Sequence, residues 1–350
     1  MRMLENQDKK ILQSENYNFV FDKKTGFFAR WGKTKKDDPQ MSPFGTEILD
    51  LEISTGACSG KCSFCYKGNG EDKNTHHMSL DEFKKIFHKV SESHTLTQIA
   101  FGICDVDSNH DFFKMMEYAR ENGVVPNYTC NGLKITDEVA DKTAKLCGAV
   151  AVSIVNKEKS YDSMRKFIKA GMKQVNCHYM LSNETYDKAF EIVDKLSSDP
   201  TLKGFNAIVF LQYKPKGNNV GQFSPVLDIS KYKALTKHCE SKDIRYGFDS
   251  CSGPIFIESI LDTPDKEFIE MFVEPCESGL FSSYINCYGK FFVCSFAEGE
   301  DEWEDGIDVL HCDNFVKDVW NNSRLIAWRK RLLDKKRACP IYDLSVNFCQ

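Results

Sequence analysis

The stretch Glu47–Gly70, EILDLEISTGACSGKCSFCYKGNG, decides how the rest of the chain is read. Its opening, EILDLEIS, has the composition of a buried strand. The loop that follows sets Cys58, Cys62 and Cys65 in a C-x3-C-x2-C arrangement. Three thiols within eight residues invite a metal, yet structural zinc and iron–sulfur centres usually take four protein ligands. Either the fourth lies elsewhere in the chain, or the open position is functional.

Outward from this stretch the pattern alternates, from about Thr46 to Gly221. Strands are expected at 48–53, 97–103, 124–129, 149–155, 174–181 and 206–213. Five helical stretches lie between them: SLDEFKKIFHKVSES, HDFFKMMEYAREN, TDEVADKTAKLC, YDSMRKFIKAG and ETYDKAFEIVDKLSSD. Ser79 with Glu82 three residues on reads as a capping box. Six strands joined by crossovers predict an α/β fold, a parallel sheet or partial (β/α)6 barrel, short of the eight units of a full barrel. The cysteine loop then follows the first strand, on the C-terminal face where such folds carry active sites. Gly60 lets the loop curl so that its sulfurs converge. Thiolates are soft ligands suited to iron–sulfur clusters or zinc. Three of them can hold three irons of a 4Fe–4S cube, leaving the fourth iron open to a cofactor or substrate. The competing reading is a Cys3His zinc site with His76 or His77 as fourth ligand.

Around this core the expected divisions are an N-terminal hairpin extension at 1–45, the barrel at 46–221, a linker at 222–250 and a cysteine-rich α+β domain at 251–350. The first contains YNFVFDKKTGFFARWG, a hairpin with its turn at Asp22–Gly26. The linker holds a helix (SKYKALTKHCESK) and a strand (IRYGF). Beyond Cys251, GLFSSYINCYGKFFVCSF reads as a hairpin about Tyr288–Gly289, and residues 314–337 as one helix with a basic tail.

Bulk properties narrow the function. A net charge of −5 gives no support for general nucleic-acid or membrane binding. No apolar run is long enough to span a bilayer, and MRMLENQDKK lacks a signal-peptide core, so a cytoplasmic protein is expected. In a reducing compartment the 15 cysteines are better explained by metal ligation than by a disulfide framework.

With C-x3-C-x2-C, the aromatic Phe64 before its last cysteine, and its place after the first barrel strand, the segment 46–221 resembles the radical S-adenosylmethionine (radical SAM) superfamily. The resemblance implies a 4Fe–4S cluster on Cys58, Cys62 and Cys65 whose open iron chelates SAM. It also implies reductive cleavage to a 5′-deoxyadenosyl radical that abstracts a hydrogen atom from substrate, and a low-potential electron donor of flavodoxin or ferredoxin type. The family's Gly-Gly-Glu segment after the second strand is replaced by IAFGICDVDSN. Gly102 fits the glycine role, and Asp105 stands in for the glutamate that meets the SAM ammonium group. Asp105 and Asp107 are also candidate helix caps. Ser153, on the fourth strand, is the ribose candidate. On the fifth, Asn176, His178 and Met180 share one face, so Asn176 and His178 are candidates for contact with SAM or substrate. Leu211 and Gln212 end the sixth strand, where the family packs adenine. Asn131, ending the third strand in TCNG, is a weaker candidate whose other role is a turn residue.

Cys276-x12-Gly289-x4-Cys294 resembles the opening of the auxiliary-cluster domains called SPASM or Twitch. That implies one auxiliary 4Fe–4S cluster, with Cys251 and Cys339 completing its ligands and Cys312 and Cys349 as alternatives. Relatives with such domains imply a peptide or protein side chain as substrate. A radical SAM dehydrogenase of a small alcohol or sugar, and a non-catalytic zinc-binding module that recognises a partner, are the competing functions.

Overall fold

The alternation expected between Thr46 and Gly221 is what the chain builds. The computed structural model describes residues 1–34, 37–70, 75–342 and 344. In chain order β1 (Arg2–Glu5), β2 (Lys9–Gln13), β3 (Asn18–Asp22) and β4 (Phe28–Trp31) come first, followed by β5 (Ile48–Glu52) and the short pair β6 (Ser54–Thr55) and β7 (His76–His77). There follow α1 (Leu80–Ser91), β8 (Gln98–Gly102), α2 (Phe112–Glu121), β9 (Val125–Cys130), α3 (Asp137–Leu146), β10 (Val150–Ser153), α4 (Lys157–Lys169), β11 (Val175–Leu181), α5 (Tyr186–Ser198) and β12 (Ala207–Gln212). The remainder is α6 (Ile229–Ser241), β13 (Tyr246–Phe248), α7 (Gly253–Ser259), α8 (Lys266–Glu270), β14 (Ser282–Ile285), β15 (Lys290–Phe292), β16 (Ile307–Asp308) and α9 (Ser323–Asp334).

The expected N-terminal hairpin is β3–β4, within a four-stranded antiparallel sheet ordered β1-β2-β3-β4. Its turn is fixed by Asp22, whose Oδ1 accepts from the N–H groups of Lys24 and Thr25 at 3.0 and 2.9 Å.

The main sheet runs β13-β12-β11-β10-β9-β8-β5-β14-β15-β16. From β13 to β14 all neighbours are parallel, and β15 and β16 turn back antiparallel. Among the described residues the edge strands β13 and β16 do not meet, so the sheet stays open rather than closing into a barrel. Four strands extend it beyond the six of the expected barrel, β15 and β16 following β14. β13, from the linker segment, lies on one edge, and β14, from the cysteine-rich segment, pairs with β5 on the other.

The strands carry period-two burial and the helices a single apolar stripe. In β11, Val175, Cys177, Tyr179 and Leu181 are buried against the helices while Asn176, His178 and Met180 take the half-buried alternate face. Helix α1 buries Phe83, Ile86, Phe87 and Val90, and its expected capping box is present: Ser79 Oγ accepts from Glu82 N while Glu82 Oε2 accepts from Ser79 N at 2.9 Å. Each such large apolar side chain removed from water contributes about 1.5–3 kcal/mol.

The helix expected across 314–337 is interrupted. Residues Phe315–Trp320 form a π-type turn and α9 begins afresh at Ser323. The cause is local: Asn322 turns its side-chain oxygen to Arg324 N at 3.0 Å and caps a new helix, so the paired asparagines break the old one.

Candidate functional site

The cysteine loop sits where β5 ends, and its shape is set by groups far apart in sequence. A Cβ on Gly60 would lie 3.4 Å from both the Cys58 and the Cys62 sulfur, so the bare glycine makes room for two thiols on either side of it. Gly60 itself is not in the left-handed region; the turn is taken by Lys61, at φ 43°. Cys65 N donates to Cys62 O at 3.1 Å. The loop after β12 clasps the far side: Asn218 N donates to Cys65 O at 2.9 Å, and Asn219 Nδ2 to Ser63 O at 3.1 Å. The clasp needs glycine at 217, which has φ +81° and lies against the Cys65 carbonyl.

The loop's inner side is held by Asp105 and Asn131. Asp105 Oδ2 accepts from Ser59 N at 3.0 Å and Ser59 Oγ at 2.5 Å and lies 3.2 Å from Lys134 Nζ. Asn131 Nδ2 reaches Asp105 Oδ1 at 2.6 Å, Cys104 O at 3.3 Å and Cys58 Sγ at 3.6 Å, while its Oδ1 accepts from Leu133 N at 3.0 Å. Burial raises the Asp105 carboxyl, but the Ser59, Asn131 and Lys134 contacts outweigh it and hold the group below the usual carboxylate range. Asp105 therefore ties the loop to the β8–α2 connection with both oxygens engaged. Neither it nor Asp107, which pairs with Lys134, caps α2; the N-cap position is Asp111.

The thiols are not alike. The Cys104 thiol, Gly60 N–H and Asn131 lower the Cys58 thiol to about 6, the Cys104 contact foremost. Burial, then the neighbouring Cys65 and Cys58, push Cys62 up to about 12, and burial raises Cys65.

Of the other expected contacts, Gly102 lies exposed at the end of β8, in register with Glu52. Ser153 ends β10 beside His178, and its carbonyl accepts from Ser160 Oγ at 3.0 Å. Phe64 packs edge-on to Phe223, with centroids 6.1 Å apart. Asn176 lies at the N-terminal end of β11, away from the cysteine loop's end of the sheet, where its Oδ1 accepts from Asn206 Nδ2 at 2.9 Å. His178 is lowered to about 4 by burial, against the pull of Asp249. Leu211 and Gln212 face opposite ways: Leu211 takes the half-buried face of β12, while Gln212 is buried and donates to Val226 O at 2.7 Å.

A second group of thiols gathers in the C-terminal segment. Cys251, Cys276, Cys294 and Cys339 come from four separate connections, yet their sulfurs sense one another. Burial, then Cys276 and Cys339, take Cys294 up to about 12; burial foremost also raises Cys251 and Cys276, with Asp249 ahead of the neighbouring thiols at Cys251 and Cys339 adding to it at Cys276, against Lys214 and Ser278 respectively. Arg337 bolts two of the connections together, donating to Cys276 O at 2.9 Å and Pro275 O at 2.6 Å. Tyr342 N lies 3.4 Å from Cys339 Sγ. Buried Lys214, 2.8 Å from Asp249, also contacts the Cys251 thiol. The hairpin turn at 286–289 is closed by Asn286, whose Oδ1 accepts from Tyr288 N at 3.1 Å and Lys290 N at 3.0 Å. Cys312 lies apart and bonds Val309 O; Cys349 falls outside the described residues.

Among the described residues no three His, Cys, Asp or Glu side chains are drawn together as a single-ion site. A four-iron cube spreads its thiolates over separate irons, around a larger core than one ion, so a set of three thiols leaving one iron open and a set of four both fit that group. Both imidazoles of the zinc reading are engaged elsewhere. His76 stacks on Tyr288 at 4.5 Å, and His77 Nδ1 pairs with Ser54 Oγ at 3.0 Å.

Sequence reasoning missed the seam between the two thiol groups. Lys67, two residues past Cys65, pairs with buried Glu52 at 3.1 Å and with Glu298, and it lies 2.8 Å from Tyr284 Oη. Tyr284 donates to Glu52 at 3.0 Å, and Asn286 Nδ2 to Glu298 at 2.7 Å. A cavity of about 330 Å³ opens over this seam, lined by Gly56, Tyr66, Lys67, Lys216, Tyr288 and Glu298 among others. The charged residues alternate with uncharged ones in sequence and gave no signal as a set. Cys104 was equally silent.

Residues 53–155 match the family described as the Radical SAM superfamily. No curated protein matches the chain. Among solved structures, Streptococcus suis SuiB bound to precursor peptide SuiA is similar at 12% identity, with a TM-score of 0.71 over 94% of this chain and 90% of that one. SuiB bound to S-adenosylmethionine aligns at 14% identity and TM-score 0.65, covering 82% and 68%. Native anSMEcpe with bound AdoMet and Cp18Cys peptide aligns at 15% identity and TM-score 0.59, covering 81% and 82%. At these identities the likeness is one of fold. No described helix is long and apolar enough to cross a membrane.

Proposed function

We propose that this chain, which carries a radical SAM domain over residues 53–155, cleaves SAM reductively and abstracts a hydrogen atom from a peptide or protein side chain. The observation that carries the reading is the placement of Cys58, Cys62 and Cys65 on one glycine-relieved loop at the C-terminal end of β5. Those three residues would hold a 4Fe–4S cluster with one iron open to SAM. Such a cluster, when reduced, supplies the electron that breaks the sulfonium bond.

This chain's own residues do the holding. Asp105, Ser59 and Asn131 fix the inner side of the loop, and Asn218 and Asn219 fix the outer. Ser153, His178 and Leu211 line the half-buried face of adjoining strands, where SAM or substrate would lie. Gly102 leaves room at the end of β8. His178 is a neutral hydrogen-bonding group at physiological pH, not a cation. Cys251, Cys276, Cys294 and Cys339 would hold one auxiliary 4Fe–4S cluster. An electron donor of flavodoxin or ferredoxin type would supply the reducing equivalent.

The peptide substrate is supported by likeness of fold to SuiB, solved with its precursor peptide, and to anSMEcpe, solved with AdoMet and a peptide. The test is anaerobic reconstitution followed by incubation with SAM, reductant and peptides encoded by neighbouring genes. Formation of 5′-deoxyadenosine with a mass change in one peptide is expected. SAM cleavage that stays at background, or is unchanged with Cys58, Cys62 and Cys65 all replaced by Ala, would defeat the reading.

A further inference from the structure

The segment between Cys251 and Cys276 turns apolar side chains to solvent. In α8 and the turn that follows it, Phe268, Met271 and Phe272 are 63, 79 and 72% exposed. The spacing i, i+3, i+4 puts the three on one side, and the two rings meet edge-on with centroids 5.1 Å apart. The opposite side is held. Ile269 and Val273 pack against the main core, and Phe272 N donates to Ile269 O at 3.0 Å. The rings therefore stand on an anchored turn, four residues ahead of Cys276.

Single exposed apolar residues are ordinary, but three adjoining ones that expose on the order of 400 Å² have the size of a recognition patch. The surroundings restrict its partner. Asp262, Asp265, Glu267, Glu270 and Glu274 flank the rings in sequence against one base, Lys266. Asp262 is paired with Lys233 and Glu274 with Arg337, both at 2.9 Å, while Asp265, Glu267 and Glu270 carry no ion pair among the described residues. Apolar anchors thus sit inside an acidic rim. Such a rim repels nucleic acid, an anionic lipid surface and an acidic protein, and attracts a partner with basic residues beside its apolar ones. The area is roughly half of one side of a stable protein–protein interface, and it suits a short segment with two or three anchors.

We propose that Phe268, Met271 and Phe272 dock a short segment of the substrate peptide that combines basic and apolar residues and lies outside the part that is modified. The inference deepens the peptide reading of the proposed function and rests on it. Docking away from the chemistry holds the peptide near the site at a high effective concentration, so the modified residue need contribute little binding of its own.

The probe is a short fluorescent peptide of alternating leucine and lysine, with leucine–glutamate and serine–lysine versions as controls. Its binding is measured to the full chain as wild type, as the Phe268→Ser, Phe272→Ser double variant and as the Glu267→Gln, Glu270→Gln double variant. Wild type should bind the leucine–lysine peptide, more weakly as salt rises, and bind both controls less well. The phenylalanine variant should lose about tenfold or more in affinity, and the glutamate variant should lose affinity together with salt dependence. The denaturant midpoint and SAM cleavage without peptide should stay as in wild type, since the phenylalanines face solvent. With a precursor peptide that wild type modifies, the phenylalanine variant should show a raised KM at unchanged kcat. Equal binding by wild type and the phenylalanine variant overturns the inference, and so does equal binding of the leucine–glutamate peptide. A concentration-dependent dimer that the phenylalanine variant abolishes also overturns it, because a second copy would then cover the patch. Wild type that shows these binding differences without cleaving SAM supports the docking surface and defeats the proposed reaction.

Discussion

Tyr66, the residue after Cys65, stacks on Phe296, two residues beyond Cys294, with ring centroids 4.3 Å apart and planes inclined by 25°. The two rings join loops from opposite ends of the chain, each beside a candidate cluster ligand. Phe296 in turn meets Tyr342 edge-on at 6.3 Å and carries Lys214 over its face at 4.4 Å. Together with the ion pairs of half-buried Lys67 to buried Glu52 and to Glu298, the stack makes the two thiol groups parts of one assembly.

That coupling is measurable. An offset aromatic pair is worth about 0.5–1.5 kcal/mol beyond its buried area. Tyr66→Leu, Phe296→Leu and the double variant, unfolded in denaturant without metal, should show a coupling energy in that range. Strictly additive losses would mean that the rings touch without joining the loops.

How much of this could be read from the sequence depended on distance along the chain. The strand–helix alternation was legible because period-two and helical burial are local, and Cys58, Cys62 and Cys65 were legible because eight residues contain them. The strand at 246–248 and the hairpin of β14 and β15 were legible as elements, but their joining the main sheet was not. β13 and β14 are only three and four residues long, and what recruits β14 is pairing with β5, some 230 residues earlier, which leaves no local trace. The seam failed for the same reason: Glu52, Lys67 and Glu298 look like ordinary surface charges until folding pairs them. Asp105 was picked out as an anion near the loop, and it is one, but its partners Ser59 and Asn131 could be seen only in three dimensions. The break at Asn321–Asn322 was legible in principle, since paired asparagines are a capping signal inside a long helical pattern.

Iron content tests the auxiliary site. Two four-iron clusters would give about eight irons per chain. Replacing Cys58, Cys62 and Cys65 should leave about four, and adding Cys276→Ala and Cys294→Ala should remove those. A triple variant without iron would eliminate the auxiliary cluster. Iron kept in Cys339→Ala but lost in Cys312→Ala would move the fourth ligand.

Asp105→Ala should loosen the cysteine loop. It strands Ser59 N–H and removes the shortest bond of the Asn131 amide, and hydrogen bonds to a charged group are worth about 1.5–3 kcal/mol. Iron at the N-terminal site should then be lost faster to a chelator, and SAM affinity should fall in proportion to remaining iron. Weaker SAM binding at full iron content would instead assign Asp105 to the SAM ammonium group.

His178 gives a pH signature. Its native value is about 4 against an ordinary 6.5, so the unfolded chain binds a proton there that the native chain refuses. Stability from this group is complete above about 6.5 and is lost as pH falls toward 4, with a limiting slope of about 1.4 kcal/mol per pH unit. Urea unfolding at pH 7 and pH 5 should show a smaller difference for His178→Gln than for wild type. Equal differences would mean that the ring is solvated in the native state.

Two glycines separate folding from cluster assembly. Gly289 has φ +74°, and a Cβ there would lie 2.6 Å from the Leu310 side chain. Gly289→Ala therefore incurs both the left-handed penalty, about 1–2 kcal/mol, and a clash in the hairpin that positions Cys294. It should lower the denaturant midpoint even without metal. Gly60 has an ordinary φ, and the nearest contacts of a Cβ there are the Cys58 and Cys62 sulfurs at 3.4 Å. Gly60→Ala should leave metal-free stability nearly unchanged, because alanine suits that backbone. It should still impair iron uptake at the N-terminal site, because the added methyl occupies the space between two sulfurs that must turn toward a common cluster. The paired measurement is a denaturant midpoint and an iron count for each variant. Full iron uptake by Gly60→Ala would show that the sulfurs converge on the other side of the loop, away from residue 60.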